Sequence, residues 1–365
     1  GSVAIRYAVE PSELSTDAES VADIPRAERI DILKEHLSSG ILRRVEYEQP
    51  LIERSDYQLQ EMIEQYVLDA TVLRTWGLWD SVFDATAINK YLATQERSHL
   101  IFKSWFNPRF IVKEQSANPL FGGIRTALLG SLWIIMITFL FAFPIGVGAA
   151  IYLEEYAAEN RLNRLIQLNI FNLSAVPSII YGLLGLAVFV RAMESVTSGA
   201  VFGMISGSVA NGRTILSGGL TLALLVLPII IINTQEALKA VPDSLRLSSY
   251  GIGATKWQTI YYQVLPSCID RILTGTILAL SRALGETAPL VVIGASTFIS
   301  VDPTSIFSKF TTLPIQIYQW SARPQGAYRS IAGAAIIALL ILLLFMNSAA
   351  IILRDKLSKK KRTES

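Results

Sequence analysis

The sequence predicts an all-α membrane protein, with a soluble, mainly helical N-terminal domain ahead of five transmembrane spans. Three observations carry this reading. The 365 residues are 51% hydrophobic and 17% charged, which is too apolar for a soluble chain of this length. The apolar residues collect in five long runs, all after Asn118-Pro119, whereas residues 1–115 hold no uninterrupted run near the ~20 residues that a spanning helix needs. Finally, Arg282 and Glu286 stand four residues apart inside a segment otherwise fit for the middle of a bilayer, where charges are costly and usually line a path or pair inside a bundle.

The N-terminal domain covers residues 1–118. Apolar residues recur there at helical spacing, as Ile30, Ile32, Leu33 and Leu37, then Ile41, Leu42 and Val45, then Leu59, Met62, Ile63 and Tyr66. Trp76, Trp79, Phe83, Phe102, Trp105, Phe106 and Phe110 supply aromatics for a small core, and a short strand or two accompany the helices. His36 and His99 are far apart in sequence and Cys268 is the lone cysteine, so neither an internal disulfide nor a metal site is expected. A net charge of +2 is too small to point to nucleic acid.

The membrane domain covers residues 119–353. Its predicted spans are Thr126–Leu153, with Pro144, Gly146 and Gly148 inside it; Leu165–Val190, interrupted by Asn169, Asn172 and Pro177; Ser217–Asn233; Ile272–Ile299; and Ile331–Leu353. Prolines and glycines are tolerated in such helices because neighbours satisfy the freed backbone groups. The tail, residues 354–365, carries Arg354, Lys356, Lys359, Lys360, Lys361 and Arg362, which places it in the cytoplasm. Counting back, Val301–Arg329 lies outside, Gln235–Ser267 inside with Lys239, Arg246 and Lys256, Arg191–Leu216 outside, Glu154–Arg164 inside, and residues 1–125 outside. An exported domain of that size implies a sixth, N-terminal span missing from this sequence. The alternative is a false or split span around Pro177.

The inner segment 235–267 reads EALKAVPDSLRLSSYGIGATKWQTIYYQVLP from Glu236. Pro242 and Asp243 suit the start of a helix. Gly253 interrupts it, and Lys256–Val264 continues as helix until Pro266 stops it. A helix–glycine–helix element across the inner face, tied to the next span by Leu265-Pro266, is a docking surface; the plainer alternative is a solvated connector.

This loop resembles the EAA loop of ABC importer permeases. Gly253, Leu265 and Pro266 match its pattern, while Leu247, Ser248 and Ser249 occupy the Glu-Ala-Ala positions and Gln263 the usual isoleucine. The wider set is similar to the phosphate transporter permease subunit of the PstA type: GGIR (Gly122–Arg125), FPIGVGAAIYLEEY (Phe143–Tyr156), AVPSIIYGLLGL (Ala175–Leu186), EALKAVPDSLR (Glu236–Arg246), GATKWQTI (Gly253–Ile260) and LSRALGETAPL (Leu280–Leu290). The resemblance implies a type I ABC importer permease fold in a bacterial inner membrane, with the N-terminal domain periplasmic. It implies a heterodimer with a sister permease, two cytoplasmic ATP-binding subunits and a periplasmic phosphate-binding protein. It also assigns an ATPase-coupling role to Pro242, Asp243, Leu247, Ser248, Ser249, Gly253, Ala254, Lys256, Trp257, Leu265 and Pro266.

The chain itself carries no G-x-x-x-x-G-K-[ST]. The nearest stretch, Gly251-Ile-Gly253-Ala-Thr-Lys256-Trp257, lacks the end that cradles phosphates and binds Mg²⁺. It is therefore expected to be no enzyme and to bind no cofactor, with ATP and Mg²⁺ held by the partner subunits.

For the substrate path, an oxyanion entering a low-dielectric bundle must replace its hydration with positive charge and N–H donors, and the planar fork of arginine suits it. Arg282 is the first candidate. Glu286 offsets its charge when the path is empty, Thr287 offers a hydroxyl, and Pro289 bends the helix. The competing reading is an ion pair that only fixes helix packing. Arg125 is expected to snorkel at the outer edge, Asn169, Asn172 and Ser174 to line the path or join helices, and Glu154 and Glu155 to sit in a solvated inner loop. Two other functions compete with phosphate import: a permease for another oxyanion such as sulfate or molybdate, and a membrane sensor or assembly protein.

Overall fold

The computed structural model describes residues 4–10, 24–37, 39–66, 71–77, 85–92, 99–104, 107–116, 122–203, 211–295, 298–299, 301–324 and 326–364. They divide into two units. One comprises Gly1–Leu129, Thr297–Pro303 and Gln316–Ile337; the other comprises Gly130–Ser296, Thr304–Ile315 and Ala338–Ser365.

In the first unit, the helices Arg26–His36, Ser39–Glu48 and Asp56–Tyr66 bury most of the apolar positions that their periodicity marks, while Ile30 and Leu42 are partly buried and Ile41 is exposed. Ile32, Leu33, Leu37, Val45, Leu59, Met62 and Ile63 join Ile24 and Leu51 in one core. Two arginines are buried beside it: Arg29 donates to the carbonyl of Ile24 (2.7 Å), and Arg54 to those of Gln49 and Val45 (3.1 and 3.2 Å).

Three strands rather than one or two complete this unit. β1 (Ala4–Glu10) is central, paired antiparallel with β2 (Thr71–Gly77) on one side and β3 (His99–Ser104) on the other. The third strand escapes a local reading because each is only six or seven residues long and pairs with a distant segment. Trp79, Phe83, Trp105 and Phe106 lie outside the described residues, as do the side chains of Trp76 and Phe102. Phe110 is buried in the short helix Pro108–Val112, its ring 6.4 Å from that of Trp320.

Among the described residues, four helices are long and apolar enough to cross a membrane: Arg125–Tyr156, Ile215–Lys239, Lys256–Leu284 and Tyr328–Ala349. The expected second span is instead a broken pair, Arg161–Ser174 and Ser178–Ala192, bent by 104°. Pro177 is the reason. It caps the second helix and biases Val176 away from the helical region, so the apolar run cannot continue straight.

In the second unit, Ile215–Lys239 is the helix buried along most of its length. Thr214 and Ser217 form a reciprocal capping box at its start, and the N–H groups of Ile215 and Leu216 are taken by the carbonyls of Ser308 and Ile306. Gly219 lets the first span approach closely: a Cβ there would lie 2.5 Å from Cγ2 of Ile137, and Thr138 Oγ1 donates to the Gly219 carbonyl at 3.1 Å.

The helix expected at Ile272–Ile299 is displaced toward the N-terminus. It begins at Lys256 and ends at Leu284. Pro266 does not stop it; a wide π turn, Ile260–Val264, precedes Leu265-Pro266 and absorbs the missing N–H, so Pro266 lies in the first turn of the next helical stretch. Its C-terminal end closes at Gly285 because the ring of Pro289 would clash with the carbonyl four residues back. A short helix, Ala288–Ile293, follows the break. The last helix runs without interruption from Gly326 to Glu364, so the basic tail is helical rather than a separate coil.

Candidate functional site

Arg282 stands in the last turn of Lys256–Leu284, a favourable place for a cation at a helix C-terminus. Its neighbour Ser281 faces the other way, buried, and donates to Oδ1 of Asn347 at 2.8 Å. Arg282 is left 63% exposed at the side chain. Glu286 lies beyond the helix end, its N–H on the carbonyl of Ala283, and its Oε1 comes to 3.9 Å from Arg282 Nε. The two residues therefore do not share a helix face, as their spacing predicts; they straddle the break that Gly285 makes. At 3.9 Å the interaction is Coulombic, not a hydrogen bond.

Thr287 sits in the same break, half-buried, its carbonyl accepting from the N–H of Val291. Pro289 is buried in the first turn of Ala288–Ile293. That turn packs on Ser178–Gly185, where Gly182 permits the contact: a Cβ there would lie 2.7 Å from Cα of Pro289. The structure thus brings Arg282, Glu286, Thr287 and Pro289 together where one broken helix meets another.

The polar residues singled out on the second run do not join helices. Asn169 donates to the Leu165 carbonyl (2.8 Å) and Ser174 to that of Phe171 (2.7 Å), both on their own helix, while Asn172 is exposed. The interhelical bonds come from residues the sequence did not flag. Gln167 and Gln235 exchange two amide hydrogen bonds (2.8 and 3.2 Å), and Asn233 donates to the Gly275 carbonyl at 3.4 Å. Arg125 does not simply snorkel either. It pairs with Glu114 and, through Nε at 2.8 Å, with Asp302, which also accepts from Thr126 Oγ1 at 2.9 Å. In the same unit the N–H of Ile299 donates to Gln115 Oε1 at 2.9 Å.

Between Ile215–Lys239 and Lys256–Leu284, the helix Asp243–Gly251 starts as expected, with Pro242 at its cap position and Asp243 in its first turn. At the Glu-Ala-Ala positions, Leu247 is exposed, while Ser248 and Ser249 donate to the Leu245 carbonyl (3.1 and 3.0 Å). Gly253 has φ +84°, which only glycine adopts without strain, and the Ala254 N–H returns to the Ser249 carbonyl. Thr255 and Gln258 then cap Lys256–Thr259 reciprocally. Leu247, Tyr250, Ile252, Trp257, Tyr261 and Tyr262 form an exposed set, with the Trp257 and Tyr261 rings stacked at 6.2 Å. Lys256 lies over the Tyr156 ring, 5.1 Å from its centroid.

Glu154 and Glu155 are not in a solvated loop. The first span runs on through a π turn, Tyr152–Tyr156, that holds both. Glu154 Oε2 faces Lys239 Nζ at 3.9 Å. Glu155, 7% exposed at the side chain, accepts from Arg246 Nη2 at 2.8 Å and from Nε at 3.2 Å. Burial opposes the Arg246 charge, but the hydrogen bonds and charge of Glu155, with Asp243, outweigh it and raise its pKa above the ordinary arginine value. Among the described residues, no group of three or more His, Cys, Asp or Glu is placed to hold a metal ion.

Residues 142–363 match the family model described as the binding-protein-dependent transport system inner membrane component, more than half of the chain. The chain belongs to that family. It is an ABC transporter permease subunit and an inner membrane protein. It is 31% identical to the probable ABC transporter permease protein YqgI of Bacillus subtilis over 310 residues, 80% of this chain and 97% of that one. It is 33% identical to the phosphate transport system permease protein PstA of Yersinia pestis, covering 66% of this permease and 74% of the relative. Against PstA 1 of Mycobacterium tuberculosis the identity is 34%, over 70% and 75% of the two chains. Among solved structures, the inward-facing MetNI methionine ABC transporter superposes with a TM-score of 0.48 at 16% identity, covering 64% of this permease and 97% of that chain.

Proposed function

We propose that this permease belongs to an ATP-driven importer of inorganic phosphate. In that reading it forms the translocation path with a sister permease, receives phosphate from a periplasmic binding protein, and is driven by two cytoplasmic ATP-binding subunits that hold ATP and Mg²⁺. The N-terminal domain is periplasmic and the C-terminal helix ends in the cytoplasm. The observation that carries the proposal is Arg282, exposed at the broken end of an apolar helix with Glu286 3.9 Å away. A guanidinium with free donors in a membrane can replace the hydration of a tetrahedral oxyanion, and the nearby carboxylate favours release once the anion has bound. Relatives named as phosphate permeases support the choice among oxyanions.

The inner helix–glycine–helix is assigned to ATPase coupling. Its exposed residues include Leu247, Tyr250, Ile252 and Trp257 beside Asp243 and Lys256, and Leu247 replaces the acidic residue of the usual pattern. Docking here is therefore by surface burial rather than by a charge bridge from that position.

The test is uptake of phosphate and sulfate into proteoliposomes holding the full transporter, with binding protein outside and ATP inside. Phosphate-selective uptake by the wild type, lost on Arg282→Ala with assembly intact, supports the proposal. Sulfate uptake in its place reassigns the substrate, and uptake that survives Arg282→Ala reduces the pair to helix packing.

A further inference from the structure

Arg246 lies on the coupling helix, yet its side chain is turned into the permease. Its side chain is 15% exposed, and its donors are spent inside the permease. Nε and Nη2 reach Glu155 Oε1 (3.2 and 2.8 Å), Nη2 also reaches the Leu238 carbonyl (3.0 Å), and Nη1 reaches the Val241 carbonyl (2.8 Å) and Asp243 Oδ1 (3.2 Å). One planar group therefore joins the inner end of the first span, the end of Ile215–Lys239 and the first turn of the coupling helix. The Leu238 carbonyl, in the last turn of Ile215–Lys239, also accepts from the Val241 N–H (3.1 Å), and the Val241 carbonyl lies just past that helix. A lysine, with one nitrogen, cannot reach all of these groups.

Two further features bear on what this joint does. Glu155 is presented by a π turn, whose extra residue rotates the helix end and carries Glu155 inward while Glu154 stays closer to solvent. At the other end of the coupling helix, Gly251 and Gly253 have no heavy atom within 4 Å of where a Cβ would stand, so no side chain packs over those two positions.

We propose that Arg246 is a positioning residue that, with Glu155, locks the coupling helix to the first span, so that displacement by a bound ATPase is delivered to that span rather than absorbed in the glycine turn. The inference rests on the coupling reading above.

The test uses the complete transporter in proteoliposomes, with Arg246→Lys, Arg246→Ala and Glu155→Gln. Each is read for ATPase co-purification, basal ATP hydrolysis and phosphate taken up per ATP hydrolysed. The expected result is wild-type co-purification and basal hydrolysis, with uptake per ATP down about five- to tenfold. A Glu155→Cys/Arg246→Cys variant on a Cys268→Ala background adds a covalent test: it is uncoupled until a bifunctional thiol reagent joins the two positions, and coupling then returns. An unchanged ratio in the single variants, or a confirmed cross-link that restores nothing, overturns the proposal. A wild-type complex that holds no ATPase removes the coupling reading itself, and this proposal with it.

Discussion

Glu286 Oε1 lies 3.9 Å from Arg282 Nε across the end of a helix, within reach of charge attraction and beyond that of a hydrogen bond. The guanidinium thus keeps its donors for a ligand while its charge is partly offset. Arg282→Ala should lower phosphate uptake about 10- to 100-fold, the range expected for losing charge-assisted hydrogen bonds. Arg282→Lys should fall between alanine and wild type, because it keeps the charge and loses the fork. Initial uptake rates at matched transporter density decide both.

The break at Gly285–Thr287 depends on Pro289. Pro289→Ala together with Gly285→Ala should let the helix continue through residue 289 and carry Glu286 round onto its surface. Spin labels on either side of the break would report a straighter segment, and uptake should drop with it. A bend that persists in the double variant would show that packing against Gly182, not proline, sets it.

Gly253 is held at φ +84°, and Trp257, four residues on, is 56% exposed. Gly253→Trp should strain the turn and abolish ATPase recruitment while membrane insertion persists. Trp257→Ala should weaken ATPase binding by about 2 kcal/mol, near thirtyfold, if the ring anchors the contact. Co-purification with the ATPase, measured on membrane-inserted protein, checks both.

Asp302 accepts from Thr126 and pairs with Arg125, which also pairs with Glu114. Asp302→Ala should cost about 1–3 kcal/mol, tempered because both partners are roughly a third exposed at the side chain. Thermal unfolding in detergent should show a lower midpoint. Asp302→Asn should recover part of it by keeping an acceptor for Thr126.

Much of this arrangement is legible in the residue order, and the limits are physical. Long apolar runs place three of the spans, because burial in lipid demands them at every position, while the one expected at Ile272–Ile299 is displaced to Lys256–Leu284. Pro177 announces a break without its angle, since 104° depends on what the second helix packs against. Pro266 misleads for a related reason: a π turn ahead of it accommodates what an α turn would not. The hardest features are charge pairs between distant segments. Glu155 and Arg246 are 91 residues apart, and each alone reads as an inner-side charge. Asp302 looks like a loop residue until the first turn of the opening span is set beside it. The central strand likewise pairs with segments far along the chain.

The uninterrupted last helix gives the basic tail a mechanical character. Its 39 residues form a rod of about 58 Å, roughly twice the thickness of a hydrocarbon core. The six cationic positions from Arg354 to Arg362 are therefore held in one orientation relative to the span that carries them. Residues 350–364 extend about 22 Å past the apolar stretch, so tilting the span by about ten degrees sweeps the tip through something on the order of 4 Å. A tilt of that span therefore carries the basic residues with it.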